Sequence, residues 1–318
     1  MKNNNLAVLI VAYQRTDNLL KIFRACEKNG IANIYLAIDG PRDNESNTQL
    51  KIKSLVSQFY EESGISIKTL YRNENLGCAV SILSACDWVF SFECWVAIIE
   101  DDCLPSDQFF EYVNKSREFI SNQRDIWLTC GTQFVPTEIL NDECYVSKYP
   151  LIWGWATTDI KWYEIRNAFL NPQNISLFSD NQIKEIFFWN SGARRALAGI
   201  TDVWDTVLVQ QMISKNKFAL LPSCNLVTNV GNDEYAQHTK KDSIWLNRES
   251  YASQNMHIVF NSNLRADEWL REYFYEIKLD NIFRYFVSLI RDFFIFAPKH
   301  RTSLKSKLSR SLFRFYAN

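Results

Sequence analysis

Three adjacent carboxylates, Glu100, Asp101 and Asp102, follow an apolar run in "WVAIIEDDCLPSDQFF" (95–110). Neighbouring carboxylates repel one another, and burial raises the cost of each charge, so such a group needs a cation or a proton. Mg²⁺ or Mn²⁺ prefers oxygen ligands and is commonly held by one or two carboxylates together with substrate phosphates. The trio therefore favours a divalent cation site. The alternative is an acidic strand end that only solvates a loop.

Alternating strands and helices precede the trio. The continuous apolar run "LAVLIVAY" is typical of a parallel strand that is buried on both faces, and a pattern with helical spacing follows it. The spacing predicts strands at 6–13, 33–39, 65–72 and 94–102, separated by helices at 16–30, 46–62 and 75–90. This order predicts a mainly parallel sheet with helices on both faces.

Polar residues follow the ends of these strands. Arg15, Asp39 and Asn73 each lie just past a predicted strand, as the carboxylate trio does. Ligands of open α/β sheets bind beyond the carboxyl ends of the strands. We therefore expect these side chains to line one crevice, although they are far apart in sequence.

The segment "VAIIEDDCLPSDQFFEYV" resembles the metal-site segment of GT-A glycosyltransferases of the N-acetylglucosaminyltransferase I type. "LIVAYQRTDNL", "YLAIDGPRD" and "RNENLGCAVSIL" are similar to the donor-side segments of that family. "WGWATTDIKWYE", "VWDTVLVQQM" and "LLPSCNLVTNVGNDEYAQHT" resemble acceptor-side segments of bacterial members. The resemblance covers roughly residues 6–240. It implies a GT-A, Rossmann-like α/β fold with a nucleotide-sugar-binding half (1–105) and an acceptor-binding, catalytic half (106–264).

The resemblance also implies roles for the donor-side residues. Asp102 binds Mn²⁺ or Mg²⁺, Asp101 contacts the ribose or donor sugar, and Glu100 contacts the sugar. Arg15 reaches the nucleotide diphosphate, and Asp39 accepts hydrogen bonds from uracil. From the residues alone, the alternatives are a surface residue of a loop for Arg15 and a turn former for Asp39. The other residues assigned to donor binding are Asn75, Gly77, Trp153 and Trp155.

The acceptor side offers two candidates for a general base. Asp205 matches the family position best, although the family has two consecutive acids after Trp and this chain has Thr206 at the second. Asp202 is the other candidate, and an acid at a helix N-terminus is the structural alternative for Asp205. His238 resembles a late histidine that helps to hold metal or diphosphate, but a solvent-facing histidine fits the sequence as well.

These residues imply an inverting glycosyltransferase that moves a sugar from a UDP-linked donor to a glycan or lipid-linked acceptor in bacterial surface polysaccharide synthesis. One alternative is a sugar-1-phosphate nucleotidylyltransferase. Such an enzyme needs a glycine-rich loop after the first strand, and "AYQRTDNLL" contains no glycine. The other alternative is a non-catalytic module that binds a nucleotide or carbohydrate.

Composition limits the partners. The formal net charge of −1 gives no case for nucleic acid. Eight cysteines without a CxxC pair, a polar N-terminus and no apolar run of about 18 residues predict a cytoplasmic protein.

Residues 280–318 carry eight Lys or Arg against two Asp, interleaved with Phe and Leu. This predicts a helical, basic, amphipathic tail within 265–318 that binds the anionic inner face of the cell membrane, with a packing helix and a solvated tail as the alternative.

Overall fold

The computed structural model describes residues 5–42, 47–140, 143–231, 247–250 and 257–274. Its first hundred residues alternate strands and helices, as the apolar periodicity predicts. The strands are β1 (Ala7–Ala12), β2 (Asn33–Ile38), β3 (Ile67–Tyr71) and β4 (Trp95–Glu100). The helices between them are α1 (Thr16–Lys28), α2 (Thr48–Ser63) and α3 (Cys78–Phe90).

Shorter strands and helices make up the rest of the described chain. The strands are β5 (Cys103–Pro105), β6 (Ile126–Cys130), β7 (Glu143–Ser147), β8 (Trp155–Thr158), β9 (Phe218–Leu221), β10 (Val227–Asn229) and β11 (His257–Ser262). The helices are α4 (Asp107–Asn122), α5 (Thr137–Leu140), α6 (Asp159–Leu170), α7 (Ile183–Leu197), α8 (Asp205–Ser214) and α9 (Leu264–Trp269). A π-helical turn over Leu270–Phe274 continues α9.

Nine of the described strands form one sheet, in the order β11-β7-β9-β6-β8-β4-β1-β2-β3. The pairs β1–β2, β1–β4, β2–β3, β6–β9 and β7–β11 are parallel. Strand β8 is antiparallel to both of its neighbours, β4 and β6. The predicted mainly parallel α/β fold is thus confirmed, and strands of the predicted halves 1–105 and 106–264 lie in a single sheet.

Burial explains why the sequence adopts this sheet. All six residues of β1 are buried, because α1 and α3 are among the elements that cover its two faces. Side chains alternate across the sheet, so Leu9 and Val11 join one core cluster while Val8 and Ile10 join the other. A continuous apolar run is the pattern expected of such a central parallel strand.

The strand register brings the predicted site residues to one edge of the sheet. Val11 of β1 pairs with Glu100 of β4, and Ala12 pairs with Ile38 of β2. The next amides continue this alignment, since Asp101 N donates to Val11 O at 3.0 Å and Asp39 N to Ala12 O at 3.1 Å. The carboxyl ends of β1, β2 and β4 therefore place Arg15, Asp39 and the acidic trio together.

Among the described residues, no helix has the length and apolarity needed to cross a bilayer. The predicted tail begins with α9 and its π-helical continuation, and the rest of it, 275–318, lies outside the described residues. Its predicted membrane binding stays a prediction.

Candidate active site

A cavity of about 230 Å³ opens at the carboxyl edge of the sheet. It is lined by segments that follow β1, β2 and β4, by the start of α3, and by the segments that precede β8 and α8. Nine of the predicted site residues lie in its wall: Arg15, Asp39, Asn75, Gly77, Glu100, Asp101, Asp102, Trp153 and Asp205. The predicted crevice therefore exists, although Asn73, which we expected to line it, is not part of its wall.

Asp101 anchors the loop that follows β1. Its Oδ2 accepts hydrogen bonds from the backbone N–H groups of Tyr13 at 2.8 Å, Gln14 at 3.3 Å and Arg15 at 3.4 Å. Its Oδ1 accepts from Arg15 Nη1 at 3.0 Å. Only 5% of the residue is exposed, so these donors replace the water that a carboxylate requires.

The Arg15 guanidinium lies between two carboxylates. Its Nη1 is 3.0 Å from Asp101 Oδ1 and 3.4 Å from Asp102 Oδ2, and the side chain is 13% exposed. One positive charge thus balances part of the acidic trio. A phosphate entering this pocket meets a cation that is already held in place.

Of the two aspartates that Arg15 contacts, Asp102 is more accessible than Asp101, with 21% of its side chain exposed. Segment 229–231, which begins with the last residue of β10, packs directly against it. Val230 N donates to Asp102 O at 2.8 Å, and Asn229 Nδ2 lies 3.4 Å from Asp102 Oδ1. A Cβ atom at Gly231 would overlap Asp102 Oδ2, so the close packing of this segment against the carboxylate requires glycine at position 231.

The acidic trio carries more negative charge than its surroundings balance. Desolvation, followed by the charges of Asp102, Asp101 and Asp205, raises the pKa of Glu100 well above its ordinary value. Desolvation and the charge of Asp101 also raise the pKa of Asp102, while the nearby Arg15 opposes the rise. A bound cation would relieve this repulsion.

Asp39 organises the entrance to α3. Its carboxylate accepts hydrogen bonds from Gly40 N at 2.9 Å, Leu76 N at 2.9 Å and Gly77 N at 3.1 Å. Desolvation raises its pKa, and these amide hydrogen bonds oppose the rise. Asn75 supports the same corner, because its Nδ2 donates to Gly40 O at 2.9 Å.

The two candidate bases differ in their surroundings. Asp205 begins α8 and lies in the cavity wall, where Thr206 N donates to its Oδ1 at 2.7 Å. Asp202 does not line the cavity. Its Oδ2 accepts from Cys78 N at 2.8 Å and its Oδ1 from Ala79 N at 3.1 Å, so it caps the N-terminus of α3.

The structure separates the two tryptophans of "WGW". Trp153 lines the cavity and makes an edge-on contact with Phe134, with ring centroids 5.2 Å apart. Trp155 is 1% exposed and packs against Trp204 and Trp162 in the core. The expectation that Trp155 binds the donor is therefore wrong, because β8 directs this side chain into the core beneath the site.

Several cavity residues were missed by the sequence analysis. Arg42 lines the entrance, and its guanidinium lies 5.5 Å from the centre of the Tyr13 ring. Asn229 and Gly231 reach the cavity from the far half of the chain. The sequence offered a signal for Arg42 alone, since it follows β2 as Arg15 follows β1. His238 lies outside the described residues.

The donor set around Asp102 fits a divalent cation that takes most of its ligands from substrate and water. Within the described ranges, no three His, Cys, Asp or Glu side chains are grouped as a metal site. The partly exposed Asp102 side chain and the raised pKa of both Glu100 and Asp102 nevertheless mark a place for positive charge. Mg²⁺ and Mn²⁺ are bound in this way, by one or two carboxylates plus phosphates.

No protein-family model and no curated protein matches this sequence. Solved structures match with low similarity. A protein assigned as a glucose-1-phosphate thymidylyltransferase from Bacillus anthracis, in complex with a sucrose, shares 12% identity at a TM-score of 0.31, over 58% of this chain and 82% of that chain. An inositol-1-phosphate CTP transferase from T. maritima shares 9% at 0.35, over 70% and 86%. A UDP-glucose pyrophosphorylase complexed with UDP-glucose shares 9% at 0.36, over 69% and 90%.

These three proteins are sugar or polyol nucleotidyltransferases by name, and none of them is a GT-A glycosyltransferase. They correspond to the alternative reaction of the sequence analysis better than to its leading one. Identities of 9–12% concern the fold alone, and TM-scores of 0.31–0.36 decide nothing about the reaction.

Proposed function

We propose that this protein is a metal-dependent, inverting glycosyltransferase that uses a nucleotide sugar, UDP-linked by resemblance, as its donor. The observation that carries this proposal is the composition of one cavity. The acidic trio and Arg15 stand on its donor side, and Asp205 enters it from a helix more than a hundred residues later. The acceptor we propose is a hydroxyl group of a glycan or lipid-linked glycan of bacterial surface polysaccharide.

The charges of the cavity suit a cation and a diphosphate bound together. Five carboxylates line it, against the two arginines Arg15 and Arg42. A diphosphate alone would add negative charge to this surplus, whereas a divalent cation at Asp102 reverses the sign locally. Bound there, Mg²⁺ or Mn²⁺ supplies charge stabilisation to the departing diphosphate. Arg15 and Arg42 are the protein's own cationic groups that would stabilise the same diphosphate.

Asp205 is the proposed general base. In a single displacement, the acceptor hydroxyl loses a proton as it attacks the sugar, and a carboxylate within hydrogen-bond reach can take it. Asp205 faces the cavity, while both oxygens of Asp202 accept hydrogen bonds from the backbone of α3. Asp205 is therefore the better candidate. Trp153 provides an aromatic wall for the sugar or acceptor.

The loop after β1 favours glycosyl transfer over nucleotidyl transfer. A glycine-rich loop binds phosphates through backbone N–H groups that point at the anion. Here the N–H groups of Tyr13, Gln14 and Arg15 all donate to Asp101 Oδ2. They are thus turned towards a carboxylate of the protein, and a triphosphate has no such cradle in this loop.

Two assays of the purified full chain test the proposal. The first measures the shift in melting temperature with UDP and with UDP-sugars, each with and without Mn²⁺, since a ligand of the folded state raises stability. The second measures release of UDP from UDP-sugars, and release of pyrophosphate from UTP plus sugar 1-phosphates. We expect Mn²⁺-dependent binding and UDP release, both of which Asp102→Ala removes.

The same two assays include a control variant, and two of their outcomes would contradict the proposal. Asp107→Ala changes an exposed acid at the start of α4 that does not line the cavity, and should behave like wild type. Pyrophosphate release without UDP release would establish the nucleotidylyltransferase instead. Mn²⁺-independent binding without turnover would establish a binding module.

A further inference from the structure

Four successive backbone N–H groups at the start of α3 donate hydrogen bonds to two carboxylates, two to each. Leu76 N and Gly77 N donate to Asp39, at 2.9 and 3.1 Å. Cys78 N and Ala79 N donate to Asp202, at 2.8 and 3.1 Å. The first N–H groups of a helix have no partner within the helix, so these carboxylates satisfy them.

The two carboxylates come from different parts of the chain. Asp39 directly follows β2, within the donor-binding half, and Asp202 belongs to segment 198–204 between α7 and α8. The hydrogen bonds of Asp202 span 123 and 124 residues in sequence. Asp202 thereby ties the segment that precedes α8 to the donor side of the cavity.

Gly77 fits closely against this contact. Its φ of +79° is unfavourable for other residues, and a Cβ atom there would overlap Asp202 Oδ2. The backbone before α3 therefore has the shape that admits the Asp202 carboxylate. A side chain at position 77 would displace it.

Segment 198–204 is held at a second point by Trp204. This residue is 2% exposed, and its ring centroid lies 5.5 Å from that of Trp155. Asp205 follows immediately, at the first position of α8. The two fixed residues, Asp202 and Trp204, thus determine where the Asp205 carboxylate enters the cavity.

We propose that Asp202 is a positioning residue that fixes Asp205 relative to the donor by binding the N-terminus of α3. The proposal rests on the proposed function, in which Asp205 is the base. Asp202 contacts no reacting group in this role. A base that is misplaced by about 1 Å can cost about a hundredfold in rate, which sets the size of the expected effect.

Substitution of Asp202 distinguishes positioning from base catalysis. We expect Asp202→Ala to lower kcat by about ten- to a hundredfold with the donor KM unchanged. Asp202→Asn keeps an oxygen that accepts from the α3 amides, so it should recover kcat to within about threefold of wild type. The pH profile of kcat should keep its acid limb in both variants. Equal losses in the Asn and Ala variants, or a wild-type kcat in Asp202→Ala, would overturn the proposal.

A double-mutant comparison tests the contact with Gly77. If Gly77→Ala displaces Asp202, then adding Asp202→Ala to it should change kcat by less than about twofold. Independent losses that multiply would contradict the contact. Asp107→Ala, which removes an exposed acid from the first turn of α4, is the matched control and should keep wild-type kcat.

Amide hydrogen exchange separates this proposal from the proposed function. In the full chain without substrate, Asp202→Ala should speed exchange of the Cys78 and Ala79 amides about tenfold or more, and Asp107→Ala should not. Faster exchange in a protein that neither binds nor turns over UDP-sugars would retain the contact and refute the glycosyltransferase. Unchanged exchange would refute the contact, whatever the activity.

Discussion

The neighbouring aspartates Asp101 and Asp102 should have opposite effects on stability, although both belong to the same acidic trio. Asp101 is 5% exposed, accepts from three backbone N–H groups and is paired with Arg15 at 3.0 Å. Asp102 is more exposed, and its contacts with Arg15 and Asn229 are both 3.4 Å long. Its raised pKa shows that the folded protein disfavours its charge.

The magnitude for Asp101→Ala follows from the groups it leaves behind. A buried donor that loses its acceptor costs about 1–3 kcal/mol, and Tyr13 N at 2.8 Å is the strongest donor lost. Breaking a buried ion pair costs about 3–5 kcal/mol, and Arg15 keeps Asp102 as a partner, which reduces that cost. We expect Asp101→Ala to lower the free energy of unfolding by about 3 kcal/mol, and the melting temperature by about 4–5 °C.

Asp102→Ala should instead raise the free energy of unfolding at pH 7. A carboxyl group whose pKa is raised in the folded state destabilises that state when it is ionised, so its removal is stabilising. The same substitution should abolish the Mn²⁺-dependent shift in melting temperature. Stability and metal binding are thus expected to change in opposite directions.

Urea unfolding followed by tryptophan fluorescence, without metal and at pH 7, measures both variants. Asp180→Ala, at an exposed position, is the control and should stay within about 0.5 kcal/mol of wild type. If Asp102→Ala destabilises the protein as much as Asp101→Ala does, the assignment of an anchoring role to Asp101 and a ligand role to Asp102 is wrong.

Three further predictions concern the base, the core and a buried carboxyl group. Asp205→Asn should lower kcat by about a hundred- to ten-thousandfold with little change in UDP affinity, measured by steady-state kinetics and calorimetry. Trp155→Ala should cost about 3–5 kcal/mol in urea unfolding, because Trp155 is 1% exposed, whereas Trp153→Ala should mainly raise the acceptor KM. Desolvation raises the pKa of Asp267 to about 6, so its protonated form stabilises the fold and that stability is lost as pH rises from about 4 to 6. After allowance for partial exposure, this loss is about 2 kcal/mol, and Asp267→Asn should abolish that part of the pH dependence of unfolding.

The alternation of strands and helices could be predicted because it depends on local patterns. The run at β1 is apolar throughout, the run at β4 is apolar up to Glu100, and their register brings Val11 beside Glu100. Once these strands are parallel neighbours, the residues that follow them meet at the carboxyl edge of the sheet. The convergence of Arg15, Asp39 and the trio therefore required no knowledge of side-chain packing.

The partners of those residues could not be predicted in the same way. Asp101 turns to the amides of residues 13–15, and Asp202 to the start of α3, across 86 to 124 residues of sequence. Trp153 and Trp155 are equivalent in the letters "WGW", yet one faces the cavity and the other the core. Trp155 begins β8, whereas Trp153 precedes the strand and Gly154 between them has a φ of +73°, so the two side chains do not follow the alternation of one strand.

The sequence by itself determined the strand and helix order, the parallel donor-side strands and the surplus of negative charge at their carboxyl ends. Those properties follow from residue periodicity and from the repulsion of adjacent carboxylates, both of which are local. Only the tertiary structure decided which acid anchors a loop, which stays partly exposed beside Arg15 and which lines the cavity from the start of α8. The physical reason is that a carboxylate's role depends on the donors and the water around it, and distant segments supply those donors when the chain folds.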